Sequence, residues 1–176
     1  MSWPPTSRRW LITMGSAVLA LSLVPAAHPG AAAPVQATWI GIGPDGGEIT
    51  ALAIDPRTTT TLYAGTRGGG VFRTTDGGRT WRADNVGMRD AVVTVDRDWS
   101  VTALAIDPRT PATVYAAAEG HGLFKSTDGG SAWGTSGLES QVTALAIAPS
   151  ATNILYAGTS RNGVYRSTDG GQTWRS

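Results

Sequence analysis

Apolar residues alternate with small or polar residues in short runs along the chain, and turn-forming residues separate these runs. The run at 50–54 begins one such series, and three further runs follow it before residue 83. Alternation over a few residues between turn-forming residues is typical of β-strands. Asp55-Pro56 ends the first run, because proline lacks the amide donor that a sheet ladder requires. The pattern therefore predicts four short β-strands in this stretch.

The same series occurs three times, and its copies align without gaps over their shared length. The anchoring residues Asp76, Asp128 and Asp169 are 52 and 41 residues apart. Four short strands that repeat at intervals of about 40 to 50 residues are the signature of a propeller blade. The predicted blades cover about 49–84, 101–136 and 142–176.

A turn motif joins the third and fourth predicted strands of every repeat. It contains Thr or Ser, an Asp two residues later, a pair of glycines and then a Trp, with Thr before the Trp except at Ala132. Asp accepts amide hydrogen bonds within its own turn, glycine adopts the positive φ of a tight hairpin, and Trp buries a large ring. The spacing lacks the dense oxygen ligands of a calcium loop, so we expect turn caps. The predicted structural residues are Asp76, Gly78, Trp81, Asp128, Gly130, Trp133, Asp169, Gly171 and Trp174.

These motifs resemble the Asp box of the BNR-repeat β-propellers, a superfamily that includes sialidases, xyloglucanases and sortilin-like proteins. The resemblance covers 49–176. Propellers close with about four to eight blades, so three repeats do not complete a ring. A truncated reading frame and self-association into a ring are the two explanations that we consider.

The segment 38–40 resembles the start of a fourth strand and precedes the first whole repeat. We therefore predict an all-β fold, namely a β-propeller segment of three four-stranded Asp-box blades plus one leading strand, open or fragmentary. This domain is expected to span 38–176, with an insertion at 86–100 that accounts for the longer spacing between the first two repeats.

An export signal is predicted at 1–37. Arg8-Arg9 precede an apolar stretch that is too short for a membrane span, and small-residue cleavage sites follow at Ala33 and Ala37. The paired arginines also suit the twin-arginine route, so the Sec and twin-arginine routes both stay open. We expect a secreted or periplasmic protein without a lipid anchor, since the chain has no cysteine.

The charge balance argues against several classes of partner. The chain has 14 Lys plus Arg and 13 Asp plus Glu, and loss of Arg8 and Arg9 with the leader leaves 12 against 13. A net charge near −1 provides no basic field for nucleic acid. The lack of cysteine excludes disulfides and thiolate metal sites. We expect no cofactor, no metal, no nucleic acid and no membrane anchor.

Candidate ligand-binding residues lie in the loops opposite the turn motifs. Insertion 86–100 is the sole departure from the repeat period, and binding chemistry is usually carried by segments that the scaffold geometry does not require. Within it, an indole ring beside charged groups suits a carbohydrate or a protein loop. The candidate ligand-binding residues are Trp99, Asp96, Arg97, Asp98, Asp90, Arg67, Glu119, His121 and Arg161.

The resemblance implies two kinds of catalytic machinery, neither of which these residues complete. Sialidases use a Tyr nucleophile and an arginine triad, whereas the tyrosines here recur by period as core residues. The resemblance to xyloglucanases implies a catalytic Asp where Arg67 stands, and Glu119 holds the equivalent place in the second repeat. Glycosidic cleavage needs two carboxylates at a defined separation.

The sequence therefore favours a non-catalytic, exported scaffold for binding or assembly, with a carbohydrate or a protein as its partner. The alternative is a fragment of a glycoside hydrolase, xyloglucanase-like or sialidase-like, whose active site needs further blades. A third interpretation is a resemblance to the Asp-box propellers that help assemble photosynthetic complexes.

Overall fold

The structure is a computed structural model that describes residues 40–45, 47–88 and 99–176. Its regular secondary structure in these ranges is all β, and no helix there is long and apolar enough to cross a membrane. The strands are β1 (Ile49–Ile54), β2 (Leu62–Thr66), β3 (Gly70–Thr74), β4 (Arg82–Ala83), β5 (Val101–Ile106), β6 (Val114–Ala118), β7 (Gly122–Ser126), β8 (Gly134–Thr135), β9 (Val142–Ile147), β10 (Leu155–Thr159) and β11 (Val164–Ser167).

The strands form three antiparallel sheets in which each strand pairs with its neighbour in sequence. We call them blade 1 (β1–β4), blade 2 (β5–β8) and blade 3 (β9–β11). Blade 3 has three strands and continues in one bridge, where the main chains of Arg166 and Arg175 exchange hydrogen bonds of 2.7 and 2.9 Å. Arg175 thus takes the place that Arg82 has opposite Arg73 in blade 1. The predicted all-β blade architecture is confirmed, although the fourth strand of the third blade is reduced to this bridge.

The ends of the first strands follow from the turn residues after them. Asp55 Oδ1 accepts hydrogen bonds from the amides of Arg57 and Thr58 at 2.8 and 3.2 Å, and Asp107 makes the same turn in blade 2. Such Asx turns give the chain a local alternative to the ladder. Blade 3 has Ala148 at this position and closes the turn with main-chain bonds.

The apolar core lies in the seams between consecutive blades. One cluster joins blades 1 and 2, and a second joins blades 2 and 3. Tyr63 of blade 1 and Tyr115 of blade 2 are almost fully buried in these seams. Each blade is therefore stabilised mainly by its neighbour, as in other stacked repeats.

The segment before β1 occupies the place of a fourth-strand end. The Trp133 indole N–H donates to the Asp84 carbonyl at 2.9 Å, and the Trp174 indole donates to Ser136. The Trp81 indole makes the equivalent bond to Ile42. Residues 40–45 form no strand, whereas two of the three residues of the predicted leading strand, 38 and 39, lie outside the described residues. The predicted signal peptide at 1–37 also lies outside them.

Candidate functional site

The meander gives each blade two different ends. The β3–β4 turns lie at one end, which we call the turn face, together with the β1–β2 turns. The β2–β3 loops and the links to the next blade lie at the opposite end, which we call the loop face, because successive strands run in opposite directions. The predicted structural residues thus fall on the face opposite to those predicted ligand-binding residues that the structure describes, namely Trp99, Arg67, Glu119, His121 and Arg161.

The aspartate of the first turn is held entirely by its own turn. Asp76 Oδ1 accepts from the Thr80 amide at 2.9 Å and from the Thr74 hydroxyl at 2.8 Å, and Oδ2 accepts from the Thr80 hydroxyl at 2.6 Å. These bonds, the Thr80 hydroxyl first, hold the pKa of Asp76 below its usual range. Gly77 and Gly78 adopt φ of 74° and 91°, which residues with a Cβ rarely reach.

The other two turns repeat this geometry with one difference. Asp169 accepts from the Thr173 hydroxyl at 2.5 Å, whereas Asp128 has Ala132 at that place and accepts from the Ala132 amide at 3.0 Å, with no hydroxyl there to donate. The pKa of Asp169 is lowered chiefly by the Thr173 hydroxyl, and the pKa of Asp128 is lowered chiefly by the Ala132 amide. Within the ranges that the structure describes, no three His, Asp or Glu side chains group closely enough to hold a metal ion.

On the loop face, Trp99 is a packing residue. Only 8% of it is exposed, and its main chain bridges Gly69 while its carbonyl accepts from the Gly70 amide at 3.0 Å. The His121 ring stacks on the indole at a centroid distance of 4.2 Å, and the Phe124 ring meets it edge-on at 5.9 Å. A ligand reaches the covered side of this indole only after His121 moves away.

Exposed polar side chains also lie on the loop face. Arg67 Nε pairs with Glu48 Oε2 at 3.3 Å. Glu119 Oε1 accepts from Gln141 Nε2 at 3.2 Å, and the Gln141 Oε1 accepts from the Ser160 hydroxyl at 3.1 Å. These exposed groups form one pair on blade 1 and one row that crosses from blade 2 to blade 3.

The main chain orients each of these groups in the same way. The amides of Arg67, Glu119 and Ser160 donate to carbonyls of the residues that precede β1, β5 and β9, at 2.9, 2.8 and 3.1 Å. The residues whose carbonyls accept these bonds were not among the residues predicted from sequence. A search for polar residues directly before the first strand of each repeat finds them: Glu48, Ser100 and Gln141.

The remaining predicted residues are not all brought together. His121 lies beside Glu119, with its Nδ1 at 2.7 Å from the Glu119 carbonyl. Arg161 is exposed in the third loop. Four predicted residues lie outside the described residues: Asp90, Asp96, Arg97 and Asp98.

No family model and no curated protein matches the chain. Among solved structures, the GH74 enzyme of Niastella koreensis is 25% identical with a TM-score of 0.58, and the match covers 73% of this chain and 22% of the enzyme. YCF48 from Cyanidioschyzon merolae is 20% identical with a TM-score of 0.52 (72% and 36% covered), and YCF48 bound to D1 peptide is 18% identical with a TM-score of 0.56 (72% and 39% covered). The chain thus spans well under half the length of these proteins. Together with the three meandering sheets, these likenesses identify the described residues as a segment of the β-propeller fold.

Proposed function

We propose that this protein is an exported scaffold for binding or assembly, and that its loop face holds a segment of another protein or a carbohydrate. The observation that carries this proposal is the row Glu119–Gln141–Ser160 on the loop face of blades 2 and 3, together with the Arg67–Glu48 pair on the same face of blade 1. These side chains are exposed and already oriented, so a polar ligand meets donors and acceptors whose geometry is set before binding. YCF48, which shares the fold, has been solved with a peptide bound.

The same contacts favour binding over acid–base catalysis. The Glu48 carboxylate is paired with a guanidinium and the Glu119 carboxylate with an amide N–H. The pair of carboxylates in a glycosidase acts on the substrate directly, whereas these two carboxylates already engage side chains of the protein itself.

The test is a binding screen on immobilised glycans and peptides. Glu119→Ala and Arg67→Ala should each weaken binding to any ligand found by about tenfold, the loss of one charge-assisted contact. Arg109→Ala, an exposed charge in the turn after β5, is the matched control and should leave binding unchanged. Equal losses in all three variants, or no ligand in either screen, would contradict the proposal.

A glycoside hydrolase is the second candidate, and the 25% identity to the Niastella koreensis GH74 enzyme is the observation that favours it. The test is hydrolysis of xyloglucan or of an aryl sialoside by the purified protein. If this hydrolysis occurs and Glu119→Gln abolishes it, the glycoside hydrolase replaces the scaffold as the proposed function. If turnover is absent while glycan binding persists, the scaffold is supported.

We also propose that the three turns are Asp boxes of the BNR type. Their support is the shared geometry, in which the Asp carboxylate caps the turn and the Thr or Ser hydroxyl accepts from the second glycine amide at 2.8 to 3.0 Å.

Residues 1–37 are proposed to be a signal peptide for a secreted or periplasmic protein. Sequencing the N-terminus of exported material should find a start after Ala33 or Ala37. An intact Met1 on cytoplasmic protein would refute this.

A further inference from the structure

Both internal seams use the same tyrosine. The Tyr63 hydroxyl of blade 1 donates to the Gly129 carbonyl in the turn of blade 2, and the Tyr115 hydroxyl of blade 2 donates to Gly170 in blade 3, each at 2.9 Å. The third tyrosine in this register is Tyr156. It is 42% exposed, whereas the other two are 1% and 2% exposed. Blade 3 therefore displays the donor side of a seam.

Other side chains on this side of blade 3 repeat the pattern. Val164 is 61% exposed, although its equivalents Val71 and Leu123 are fully buried in the two internal seams. Thr143 has the place of Thr50 and Thr102, whose hydroxyls donate across the seams to the carbonyls of the first residues of β5 and β9. We call this surface, formed by Thr143, Tyr156 and Val164, the trailing face.

Blade 1 displays the other side of a seam. Leu52 is 66% exposed, and Ile49 and Ile54 are exposed beside it. The equivalents of Leu52 and Ile54 in blade 2 are Leu104 and Ile106, which pack against the core of the seam between blades 1 and 2. We call this surface of blade 1, formed by Ile49, Leu52 and Ile54, the leading face.

A cavity lies beside the turn glycine of blade 1 that corresponds to the glycines under the seam tyrosines. In the internal seams the rings of Tyr63 and Tyr115 lie against Gly130 and Gly171, the second glycines of the turns. The corresponding glycine of blade 1, Gly78, lines a cavity of about 360 Å³ together with Trp81, Phe72 and other residues of blade 1 and the segment before it. The Ile42 side chain also lines this cavity and lies against Gly78, as Ser136 lies against Gly171 in the second seam. The Gly77 carbonyl has the place in its turn that the acceptors Gly129 and Gly170 have in theirs.

We propose that the trailing face of one copy of this chain docks on the leading face of a second copy, head to tail. Tyr156 enters the cavity beside Gly78 and donates to the Gly77 carbonyl, and Thr143 donates to the Ile49 carbonyl. Both contacts copy the internal seams residue for residue, which is why the occupant assigned here is this chain. Two copies of the three described blades make six, within the four to eight of closed propellers, whereas three copies make nine. This inference is independent of the ligand on the loop face.

The head-to-tail geometry has a distinctive test. Leu52→Glu spoils the leading face and Val164→Glu spoils the trailing face, and both side chains are exposed, so each variant should fold. In sedimentation velocity at about 100 μM, the unchanged protein should be a dimer and each variant alone a monomer. A mixture of the two variants should form a heterodimer, because one copy keeps its trailing face and the other keeps its leading face.

A matched control separates the faces from surface charge in general. Val86→Glu, an exposed apolar residue in the link between blades 1 and 2, should leave the dimer intact. Dimers that persist in Leu52→Glu or Val164→Glu would overturn the head-to-tail contact. A monomeric unchanged protein would overturn the second copy as the occupant, and variants that stay apart when mixed would overturn the pairing of the two faces.

Discussion

The two seam tyrosines are expected to stabilise the fold unequally, because their acceptors have different other partners. The Gly170 carbonyl accepts both from the Tyr115 hydroxyl and from Lys125 Nζ, each at 2.9 Å. Within the described residues, the donor to the Gly129 carbonyl is the Tyr63 hydroxyl. Removal of one hydroxyl by Tyr→Phe therefore leaves the Gly170 carbonyl bonded and leaves the Gly129 carbonyl without its donor.

The expected costs follow from this difference. Tyr115→Phe removes one partly buried hydrogen bond and should lower the free energy of unfolding by about 1 kcal/mol. Tyr63→Phe also strands a buried carbonyl and should cost about 2 kcal/mol. Tyr156→Phe, the matched control, should stay within about 0.5 kcal/mol in protein dilute enough to be monomeric.

Urea unfolding measures these differences in the free energy of unfolding, provided that the variants share the same dependence of that free energy on urea concentration. A double mutant tests whether Lys125 replaces the Tyr115 hydroxyl as the donor to Gly170. In a Lys125→Met background, Tyr115→Phe should lower the free energy of unfolding about as much as Tyr63→Phe does, so Tyr115 and Lys125 should show a coupling energy of about 1 kcal/mol. Equal losses of stability in Tyr63→Phe and Tyr115→Phe in the unchanged background would refute the reasoning. Arg73 would then be the substitute donor to Gly129, since its guanidinium lies 5.8 Å from the Tyr63 ring centre.

The same tyrosines predict an alkaline limit to stability. Burial raises the pKa of Tyr115 to about 12, and burial also raises the pKa of Tyr63. The pKa of these tyrosines in the folded protein lies above the unfolded value of about 10. Their contribution to the free energy of unfolding is therefore complete below pH ~10 and is lost as the pH rises through the folded pKa. Melting temperatures should fall between pH ~10 and ~12, and less steeply in Tyr115→Phe; parallel curves would contradict this cause.

Two further predictions concern single side chains. Ala132→Thr supplies the hydroxyl that the middle turn lacks, so it should raise the melting temperature at pH 7, and Thr173→Ala should lower it. The pKa of Asp128 in the folded protein lies below the unfolded value of about 3.9. The gain in melting temperature from Ala132→Thr should therefore be present above that pH and fade as the pH falls toward the folded pKa. A gain that persists in acid would refute the role of the Asp128 carboxylate. Trp99→Ala removes a buried ring and should lower the free energy of unfolding by about 3 to 5 kcal/mol in urea, whereas unchanged stability with lost ligand binding would support the prediction that Trp99 binds the ligand.

The repeated parts of this molecule could be predicted from sequence because every repeat tests the others. The alignment places Asp76, Asp128 and Asp169 in one register, and the turn chemistry of Asp, Gly and Thr is local, so it needs no knowledge of the rest of the fold. The single bridge in place of a fourth strand in blade 3 fits the same alignment, since Arg175 and Ser176 correspond to Arg82 and Ala83, the two residues of β4.

The link before β5 was harder to interpret because it has no second copy in the chain. Trp99 beside charged residues suggests an exposed platform, but the structure packs its ring under His121 and against Phe124. Burial of an aromatic ring depends on residues distant in sequence, and a unique segment offers no register from which to infer them. Gln141 was missed for the opposite reason, since a polar residue before a strand looks like ordinary loop.

Main chain and side chain have separate roles on the loop face. The carbonyls of Glu48, Ser100 and Gln141 accept the same hydrogen bond in all three blades, while the side chains at these positions are an acid, a hydroxyl and an amide. The residues whose amides donate these bonds, Arg67, Glu119 and Ser160, also differ in side-chain chemistry. Because the shared bonds involve only backbone atoms, the side chains at these positions are free to vary without cost to the blade. The loop face is therefore where this scaffold carries variable chemistry on constant geometry, whereas the turn aspartates and the two internal seam tyrosines recur because their side chains make the hydrogen bonds of the turns and seams.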